Sequence, residues 1–146
     1  MESIKIRDAK PSDRDAIIAF DHGVRLEPGR IPFIGRVLST ATCLVAECEG
    51  RVVAYGSLEY TFYDNGFVSM LYVAEPERRR GIGRSLMEAL AARCRTPKLF
   101  TSTNESNKPM HALLQLLGYV PSGVIENLDL GDPEVVYFLD LRERAA

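Results

Sequence analysis

The hydrophobic pattern of this chain changes period within a short basic segment, at residues 74–81. Before the segment, Phe67–Val73 is rich in the residue types that favour strands. After it, apolar side chains recur at helical spacing from Gly81 to about Cys94, namely at Ile82, Leu86, Ala89 and Leu90. A strand that leads directly into an amphipathic helix constrains the chain to a fold in which helices pack on a sheet.

The remaining patterns predict further strands and helices of the same kind. Strands are predicted at Ser3–Asp8, Thr42–Cys48, Arg51–Phe62, Lys98–Thr103, Tyr119–Leu128 and Glu134–Leu141. Helices are predicted over Pro11–Phe20, around Phe33–Leu38 and over Met110–Leu117, with Gly118 as the C-cap of the last. The predicted turns are Glu49-Gly50 and Asp64-Asn65-Gly66. The order β-α-α-β-β-β-α-β-α-β-β predicts an α/β fold (an α+β mixed sheet) and a single domain over residues 1–146.

Composition excludes several classes of protein. With 46% hydrophobic and 26% charged residues, the chain has the make-up of a globular protein. Its 18 basic and 20 acidic side chains give a net charge of −2, so we expect neither a nucleic-acid partner nor a membrane surface. No apolar run approaches the roughly 18–20 residues that cross a bilayer. The start of the chain, with charges between its apolar residues, predicts no signal peptide.

The cysteines indicate a reducing compartment. There are three of them, an odd number, and Cys43, Cys48 and Cys94 have no C-x-x-C spacing. Buried thiols in a cytoplasmic protein are the expected reading, and no metal site is expected. A nucleophilic cysteine is not favoured, because neither His22 nor His111 lies in a recognisable partner motif.

The helix that begins near Gly81 lacks an ordinary capping residue. A helix leaves its first four N–H groups without internal partners, and Ser, Thr, Asp or Asn usually accepts from them. Here the preceding residues are Arg78, Arg79 and Arg80, which offer no side-chain acceptor and whose charge opposes the helix dipole. A phosphate group would supply both the acceptor oxygens and the negative charge. The segment therefore predicts a site for a phosphate-bearing ligand.

The glycines of this segment support the same interpretation. Gly81 and Gly83 have no Cβ, so a bulky anion can approach the backbone closely. A solvated basic turn is the alternative, since most short basic runs are no more than that. A phosphate-loop nucleotide enzyme is a third possibility, but the segment has no G-x-x-x-x-G-K-S/T pattern, because no lysine follows Gly83.

Arg78-x-x-Gly81-x-Gly83, after the strand that ends at Val73, resembles the acetyl-CoA signature R/Q-x-x-G-x-G/A of the GNAT N-acetyltransferases. The element order is similar to theirs, and so is the spacing of Asn107 and Gly118-Tyr119. The resemblance covers nearly the whole chain, with its specific matches at about residues 68–119. It implies a GNAT-like fold with a central, mixed and mostly antiparallel sheet. It also implies acetyl transfer from acetyl-CoA, as cosubstrate, to a primary amine of a small molecule or peptide.

The resemblance implies roles for individual residues. Backbone N–H groups from Arg79 through Arg84 are expected to hold the CoA pyrophosphate. The segment Leu71–Val73 is expected to pair with the pantetheine arm where neighbouring strands separate, and one of its N–H groups to polarise the thioester carbonyl. Direct attack by the amine, in a ternary complex, requires no acetyl-enzyme. The implied cofactor-binding residues are Leu71, Tyr72, Val73, Arg78, Arg79, Arg80, Gly81, Ile82, Gly83, Arg84, Ser85 and Asn107.

Leu114 departs from the family pattern. Many members have a tyrosine at this position, which donates a proton to the departing thiolate, whereas Leu114 belongs to an apolar stripe. Tyr72 and Tyr119 are candidate replacements, and Glu59 is a candidate base for the amine proton. Packing roles for the tyrosines and a solvated position for Glu59 stay open, as does a non-catalytic acyl-CoA-binding or regulatory module. His111, beside the stripe, is expected at the surface.

A group of carboxylates near the end of the chain bears on the acceptor. It lies around the last predicted hairpin and consists of Glu126, Asp129, Asp132 and Glu134. In proteins that the chain resembles, the last two strands often border the acceptor pocket, so these carboxylates would attract a cationic amine. A solubilising hairpin is the alternative. A monomer and a homodimer both stay open.

Overall fold

Residues 3–144 are described by a computed structural model, and they form seven strands and five helices. The strands are β1 (Ile4–Asp8), β2 (Thr42–Cys48), β3 (Arg51–Phe62), β4 (Asn65–Val73), β5 (Lys98–Asn104), β6 (Val120–Ile125) and β7 (Glu134–Asp140). The helices are α1 (Arg14–Phe20), α2 (Gly23–Leu26), α3 (Arg30–Thr40), α4 (Ile82–Arg93) and α5 (Lys108–Leu116). None of these helices is both long and apolar enough to span a membrane. The predicted order is confirmed, with the one-turn helix α2 as an addition.

The strands form one sheet in the order β1-β2-β3-β4-β5-β7-β6. The pairs β1–β2, β2–β3, β5–β7 and β6–β7 are antiparallel. Strands β4 and β5 are parallel, and they pair over Gly66–Val68 opposite Leu99–Thr101. This parallel pair requires a crossover, and α4 supplies it. The predicted mixed and mostly antiparallel sheet, flanked by helices, is confirmed.

Two tight turns set the register of β2, β3 and β4. Glu49 and Gly50 both have positive φ, at 52° and 78°, which is the backbone of a two-residue hairpin turn. This turn lies where the sequence predicted it. The second turn is Tyr63-Asp64, with φ of 51° and 65°, so the prediction of Asp64-Asn65-Gly66 was wrong by one residue. Asn65 and Gly66 belong to β4 instead.

The chain divides into two compact units. One comprises the chain up to Leu58 together with Met70–Arg93, and the other comprises Glu59–Ser69 and the chain from Cys94 onward. Strands β3 and β4 contribute to both units. The expectation of a single domain over residues 1–146 stays a prediction.

The first unit has helices on both faces of its strands. On one face, Ile17 of α1, together with Ile34 and Val37 of α3, packs with Tyr55 of β3 in a buried cluster. On the other, α4 buries Ile82, Leu86, Met87, Leu90 and Ala91. Burial of one such large apolar side chain contributes about 1.5–3 kcal/mol. Of the stripe predicted for α4, Ile82, Leu86 and Leu90 are confirmed, whereas Ala89 is only half-buried.

A buried polar network holds the segment between α1 and α3. The carboxylate of Asp21 is buried and accepts two hydrogen bonds of 2.8 Å from Nη1 of Arg30. The hydroxyl of Tyr55 donates to Asp21 Oδ2 at 2.6 Å, and the Gly23 N–H donates to Oδ1 at 2.8 Å. Burial, together with this bond to Asp21, raises the pKa of Tyr55, so the phenol stays a donor. The network anchors the chain immediately before and after His22.

The second unit packs α5 beside β5 and β7. Of the predicted stripe on α5, Leu114 is fully buried, while Met110, Leu113 and Leu117 are half-buried. Gly118, with φ of 92°, ends the helix as predicted. The Tyr119 N–H donates to Leu114 O at 2.9 Å and the Gly118 N–H to Gln115 O at 3.1 Å, the two bonds of a Schellman motif.

Candidate functional site

The carboxyl end of β4 leads directly into the segment that the sequence singled out. The Ala74 N–H donates to Val53 O at 2.8 Å, which ties the end of β4 to β3. A Cβ at Gly56 of β3 would lie 2.8 Å from Leu90 Cδ1 and 3.2 Å from Met70 O. Glycine is therefore required at position 56, because it lets α4 and β4 approach the strand closely.

A 3₁₀ turn over Glu75–Glu77 reverses the chain after β4. Arg78 then turns back onto the strand: its Nε donates to Val73 O at 2.9 Å, and its guanidinium lies 5.3 Å from the ring centre of Tyr72. The motif arginine thus fixes the loop to the strand. Arg78 itself is exposed.

Two residues with positive φ shape the rest of the loop. They are Arg79, at 68°, and Gly81, at 80°. The side chain of Arg80 forms an ion pair with Glu77, and its Nη2 lies 3.7 Å from Cys48 Sγ. These two contacts hold the Arg80 side chain against the protein's own groups.

The first turn of α4 presents open backbone donors. Gly81 O accepts the first helical hydrogen bond, from the Ser85 N–H at 3.1 Å. For the N–H groups of Ile82, Gly83 and Arg84, no acceptor is found among residues 3–144. A Cβ at Gly81 would meet no atom within 4 Å, so the space before the helix is open. Open amides at the positive end of a helix, in open space and among arginines, fit a phosphate group.

The predicted cofactor residues of the first unit therefore all lie in one short segment of the chain, residues 71–85. Leu71, Tyr72 and Val73 end β4, residues 78–81 form the loop, and residues 82–85 form the first turn of α4. The ring of Tyr72 stacks on that of Phe20, with ring centres 6.2 Å apart, and its hydroxyl accepts from the His22 N–H at 3.1 Å. Tyr72 is thus held from the α1 side of the sheet.

Three predicted site residues lie in the second unit. Glu59 is half-buried on β3, and Tyr119 is only 3% exposed. Asn107 is the N-cap of α5, because its Oδ1 accepts from the Met110 N–H at 3.3 Å. This capping role was not predicted, although Asn followed by Lys-Pro is an ordinary start signal for a helix.

His111 is not the surface residue that the sequence suggested. It is half-buried, with Nε2 3.0 Å from Asn104 O and Nδ1 2.6 Å from the Tyr137 hydroxyl. A carbonyl only accepts, so Nε2 carries the proton and Nδ1 accepts from Tyr137. Both ring nitrogens of His111 therefore serve the structure. No sequence pattern joins these residues, which lie up to 33 positions apart.

The acidic hairpin is largely engaged with its own unit. Asp129 accepts from Asn104 Nδ2 at 2.8 Å, Asp132 accepts from Ser106 Oγ at 2.6 Å, and Glu134 accepts from Ser102 Oγ at 2.7 Å. These carboxylates order the loop between β6 and β7. Strand β6 ends at Ile125, earlier than predicted. The positive φ of Asn127, 73°, is incompatible with an extended strand there.

Two of the three cysteines are buried. Cys43 and Cys48 are buried, Cys94 is half-buried, and no disulfide joins them within residues 3–144. Burial raises the pKa of the Cys43 thiol to about 12, with a smaller contribution from Asp13, so this thiol stays protonated. No group of three or more His, Cys, Asp or Glu side chains in the described part of the chain is arranged to hold a metal ion.

Comparison with known proteins agrees with this geometry. The model of the acetyltransferase (GNAT) family matches residues 15–119. A crystal structure of a GNAT-family acetyltransferase from Bacillus cereus ATCC 10987 is 30% identical, with a TM-score of 0.87, and covers 94% of this chain and 97% of its own. No curated protein matches the sequence.

More distant structures share the fold. YncA from Salmonella typhimurium, described as a putative acetyltransferase with its cofactor acetyl-CoA, is 22% identical, with a TM-score of 0.77 and coverage of 98% and 96% of the two chains. A ribosomal-protein-alanine N-acetyltransferase from Brucella melitensis is 24% identical, with a TM-score of 0.77 and coverage of 94% and 99%. The chain belongs to the acetyltransferase (GNAT) family and is an acyltransferase of this acetyl-CoA-dependent class.

Proposed function

We propose that the protein is an N-acetyltransferase that transfers the acetyl group of acetyl-CoA to a primary amine of a small molecule or peptide. The amine attacks directly, in a ternary complex. The observation that carries the proposal is the open first turn of α4 after β4, where the N–H groups of Ile82, Gly83 and Arg84 have no acceptor in the described part of the chain. Family membership supplies the acyl donor that fits this turn.

The cofactor-binding residues are proposed from the same continuous segment. The N–H groups of residues 79–84 hold the pyrophosphate, and Ser85 closes the first helical turn beneath it. Arg78 supports the loop through Val73 O. The backbone of Leu71–Val73 holds the pantetheine arm, and the amide nitrogen of Asn107 binds near the thiol. Bound in this way, acetyl-CoA supplies the activated acetyl group.

The chain offers few groups for proton transfer. Tyr72 is a candidate acid, since its hydroxyl accepts from a backbone N–H and keeps its own proton to donate. Tyr119 is a weaker candidate because it is 3% exposed. Glu59, half-buried on β3, is a candidate base. Leu114 is fully buried and takes no part in proton transfer.

A cationic acceptor such as a polyamine, an amino sugar or a lysine-like group is proposed from the acidic hairpin. Asp129, Asp132 and Glu134 each accept a hydrogen bond from within the unit, which leaves their outer lone pairs for an amine. Glu126 is exposed at the start of the same loop. These carboxylates favour positively charged acceptors over neutral ones.

Thermal stability and thiol release test the proposal together. A ligand that binds only the native state raises Tm, so acetyl-CoA at about 100 times its Kd should add about 2.7 kcal/mol of stability. Spermidine, glucosamine and lysine are then offered as acceptors, and CoA release is followed. Absence of a Tm shift with acetyl-CoA, or an equal shift with ATP, would contradict the proposal.

A non-catalytic acyl-CoA-binding or regulatory module is the second candidate. Leu114, fully buried where many family members have a tyrosine, favours it. Such a module would show the Tm shift with acetyl-CoA but release no CoA with any amine. The thiol-release assay therefore separates the two candidates.

A homodimer is proposed on the exposed character of β6, the last strand of the sheet order. Val120, Val124 and Ile125 of this strand are 52%, 56% and 39% exposed. An outer strand with apolar side chains is a common site of association. Light scattering after gel filtration measures the mass, and a monomer at all concentrations would contradict the proposal.

A further inference from the structure

The two histidines of the chain stand in opposite environments. His111 has both ring nitrogens hydrogen-bonded. For His22, the side chain is 48% exposed, and its Nδ1 lies 3.7 Å from Glu75 Oε2. Its Nε2 has no partner among residues 3–144. His22 therefore presents an open ring nitrogen, whereas His111 does not.

The backbone of His22 is fixed beside the end of β4. Its N–H donates to the Tyr72 hydroxyl at 3.1 Å. The preceding residue, Asp21, is anchored in the buried network, and the following N–H, of Gly23, donates to Asp21 Oδ1 at 2.8 Å. The imidazole is thus an exposed group on a rigid support, next to the strand proposed to hold the cofactor arm.

The groups that face His22 favour one proton arrangement. Glu75 Oε2 lies 3.7 Å from Nδ1, within ion-pair range but beyond hydrogen-bond distance, and the Glu75 side chain is 67% exposed. A carboxylate at Nδ1 places the proton there and leaves a lone pair on Nε2. The other facing groups are Tyr72, Asp21, whose carboxylate is already engaged, and Arg78, whose guanidinium lies over the Tyr72 ring.

We propose that His22, oriented by Glu75, and not Glu59, is the base that deprotonates the acceptor amine; this inference rests on the proposed function. Nε2 takes one proton from the ammonium group and later releases it to solvent. The neutral amine forms the C–N bond to the acetyl carbon, the C–S bond breaks, and the second amine proton leaves with the thiol. Glu75 is a positioning residue, since it acts through Nδ1.

Nuclear magnetic resonance of the ligand-free protein tests the orientation without any activity. Long-range ¹H–¹⁵N spectra identify which ring nitrogen of each histidine carries the proton. We expect Nδ1 for His22 and Nε2 for His111. Glu75→Gln should abolish the preference at His22 and leave His111, the internal control, unchanged. A proton on Nε2 of His22 in the wild-type protein would overturn the proposal.

Kinetics with the best of the three amines tests the role of the base. General-base catalysis contributes roughly 10²–10⁴-fold, so His22→Gln should lower kcat/KM by about 100-fold or more. The same variant should remove the rise of rate with pH that the base causes, while the Tm shift with acetyl-CoA stays as in the wild type. Glu75→Gln should show a smaller loss with an altered pH profile. Asp15→Asn, whose side chain is 95% exposed, is the control that keeps wild-type kinetics.

The outcomes separate this inference from the proposed function. Wild-type rate and pH profile in His22→Gln would overturn the base while leaving the acetyltransferase intact. Loss of the acetyl-CoA shift in His22→Gln would assign the residue to binding or folding, which also overturns the inference. A wild-type protein that binds acetyl-CoA but releases no CoA with any amine would overturn both.

Discussion

Helices α4 and α5 begin in opposite ways. At the start of α5, Asn107 accepts from the Met110 N–H through its own side chain, and Pro109 has no N–H to satisfy. At the start of α4, the N–H groups of Ile82, Gly83 and Arg84 have no acceptor among residues 3–144. One helix start is completed by the chain itself, and the other is left open.

Folding stability alone explains the residues at the start of α5, but it does not explain those at the start of α4. Replacing a capping side chain typically costs about 1 kcal/mol, so an uncapped helix start is a cost to the fold. Arginines around that start add unfavourable charge at the positive end of the dipole. An anion from outside the chain reverses both effects. The requirement for an acceptor at a helix start is met by the Asn107 side chain in α5, and we propose that a ligand meets it at Gly81.

The largest expected effect comes from placing a negative charge at the open start. Gly81→Asp puts a carboxylate where the pyrophosphate is proposed to lie, and like charges brought together cost several kcal/mol. We expect acetyl-CoA affinity to fall by about 100-fold or more, measured by calorimetry. Gly81→Asn is the matched control, because Asn has nearly the same size, tolerates positive φ and carries no charge. An equal loss of acetyl-CoA affinity in both variants would mean that the size of the new side chain, and not its charge, causes the effect. No loss of affinity in Gly81→Asp would contradict the difference between the two helix starts.

A substitution at Gly56 tests the close packing of β4 and α4, the two elements that flank the open helix start. In Gly56→Ala the new Cβ would lie 2.8 Å from Leu90 Cδ1 and 3.2 Å from Met70 O, and such overpacking costs about 1–3 kcal/mol. Urea unfolding should show this loss. Gly35→Ala on α3 is the control: its Cβ meets no atom within 4 Å, and we expect a gain of up to about 1 kcal/mol there. Equal stability in the two variants would contradict the tight approach of β4 and α4.

Substitutions of Asn107 test the start of α5, which the chain caps with its own side chain. Asn107→Ala removes the acceptor for the Met110 N–H and should lower the free energy of unfolding by about 1 kcal/mol. Asn107→Ser keeps a capping oxygen and should keep most of that stability. The acetyl-CoA shift then isolates the amide nitrogen: if Asn107 also contacts the cofactor, both variants weaken binding. Wild-type binding in both would limit Asn107 to its capping role.

The smallest effects are expected from single cations at the two helix starts. Arg84→Gln should raise stability without ligand by about 0.3–1 kcal/mol, because a cation opposes the dipole there, and should weaken acetyl-CoA binding. Its exposed contact with Glu88, at 3.8 Å, contributes little. Lys108→Gln, at the first position of α5, should raise stability similarly without changing binding. Stronger acetyl-CoA binding in Arg84→Gln would contradict a phosphate site on α4.

The sequence predicted the parts whose physical cause is local. Glu49-Gly50 was found because glycine tolerates positive φ in a two-residue turn. Tyr63-Asp64 was missed because tyrosine rarely adopts positive φ, so the neighbouring Asn-Gly pair gave the stronger signal. The stripe on α4, Gly81 before it and Gly83 in its first turn belong to one short segment, so this part of the proposed site could be predicted from the sequence.

The rest depends on residues that are distant in the chain. His22 and Tyr72 are 50 positions apart, and Asp21 meets Tyr55 across 34 positions. No periodicity or motif joins such pairs, so neither the buried network nor the open imidazole could be predicted. Helix α2 was also missed, because four residues with a glycine give no helical period.

The amide resonances of the protein test directly whether the backbone at the start of α4 binds a diphosphate. Acetyl-CoA is titrated into ¹⁵N-labelled protein, with pantetheine, which has no diphosphate, as the matched ligand. We predict that the N–H resonances of Ile82, Gly83 and Arg84 shift strongly with acetyl-CoA and hardly at all with pantetheine. Binding of acetyl-CoA that leaves these three resonances in place would contradict the account.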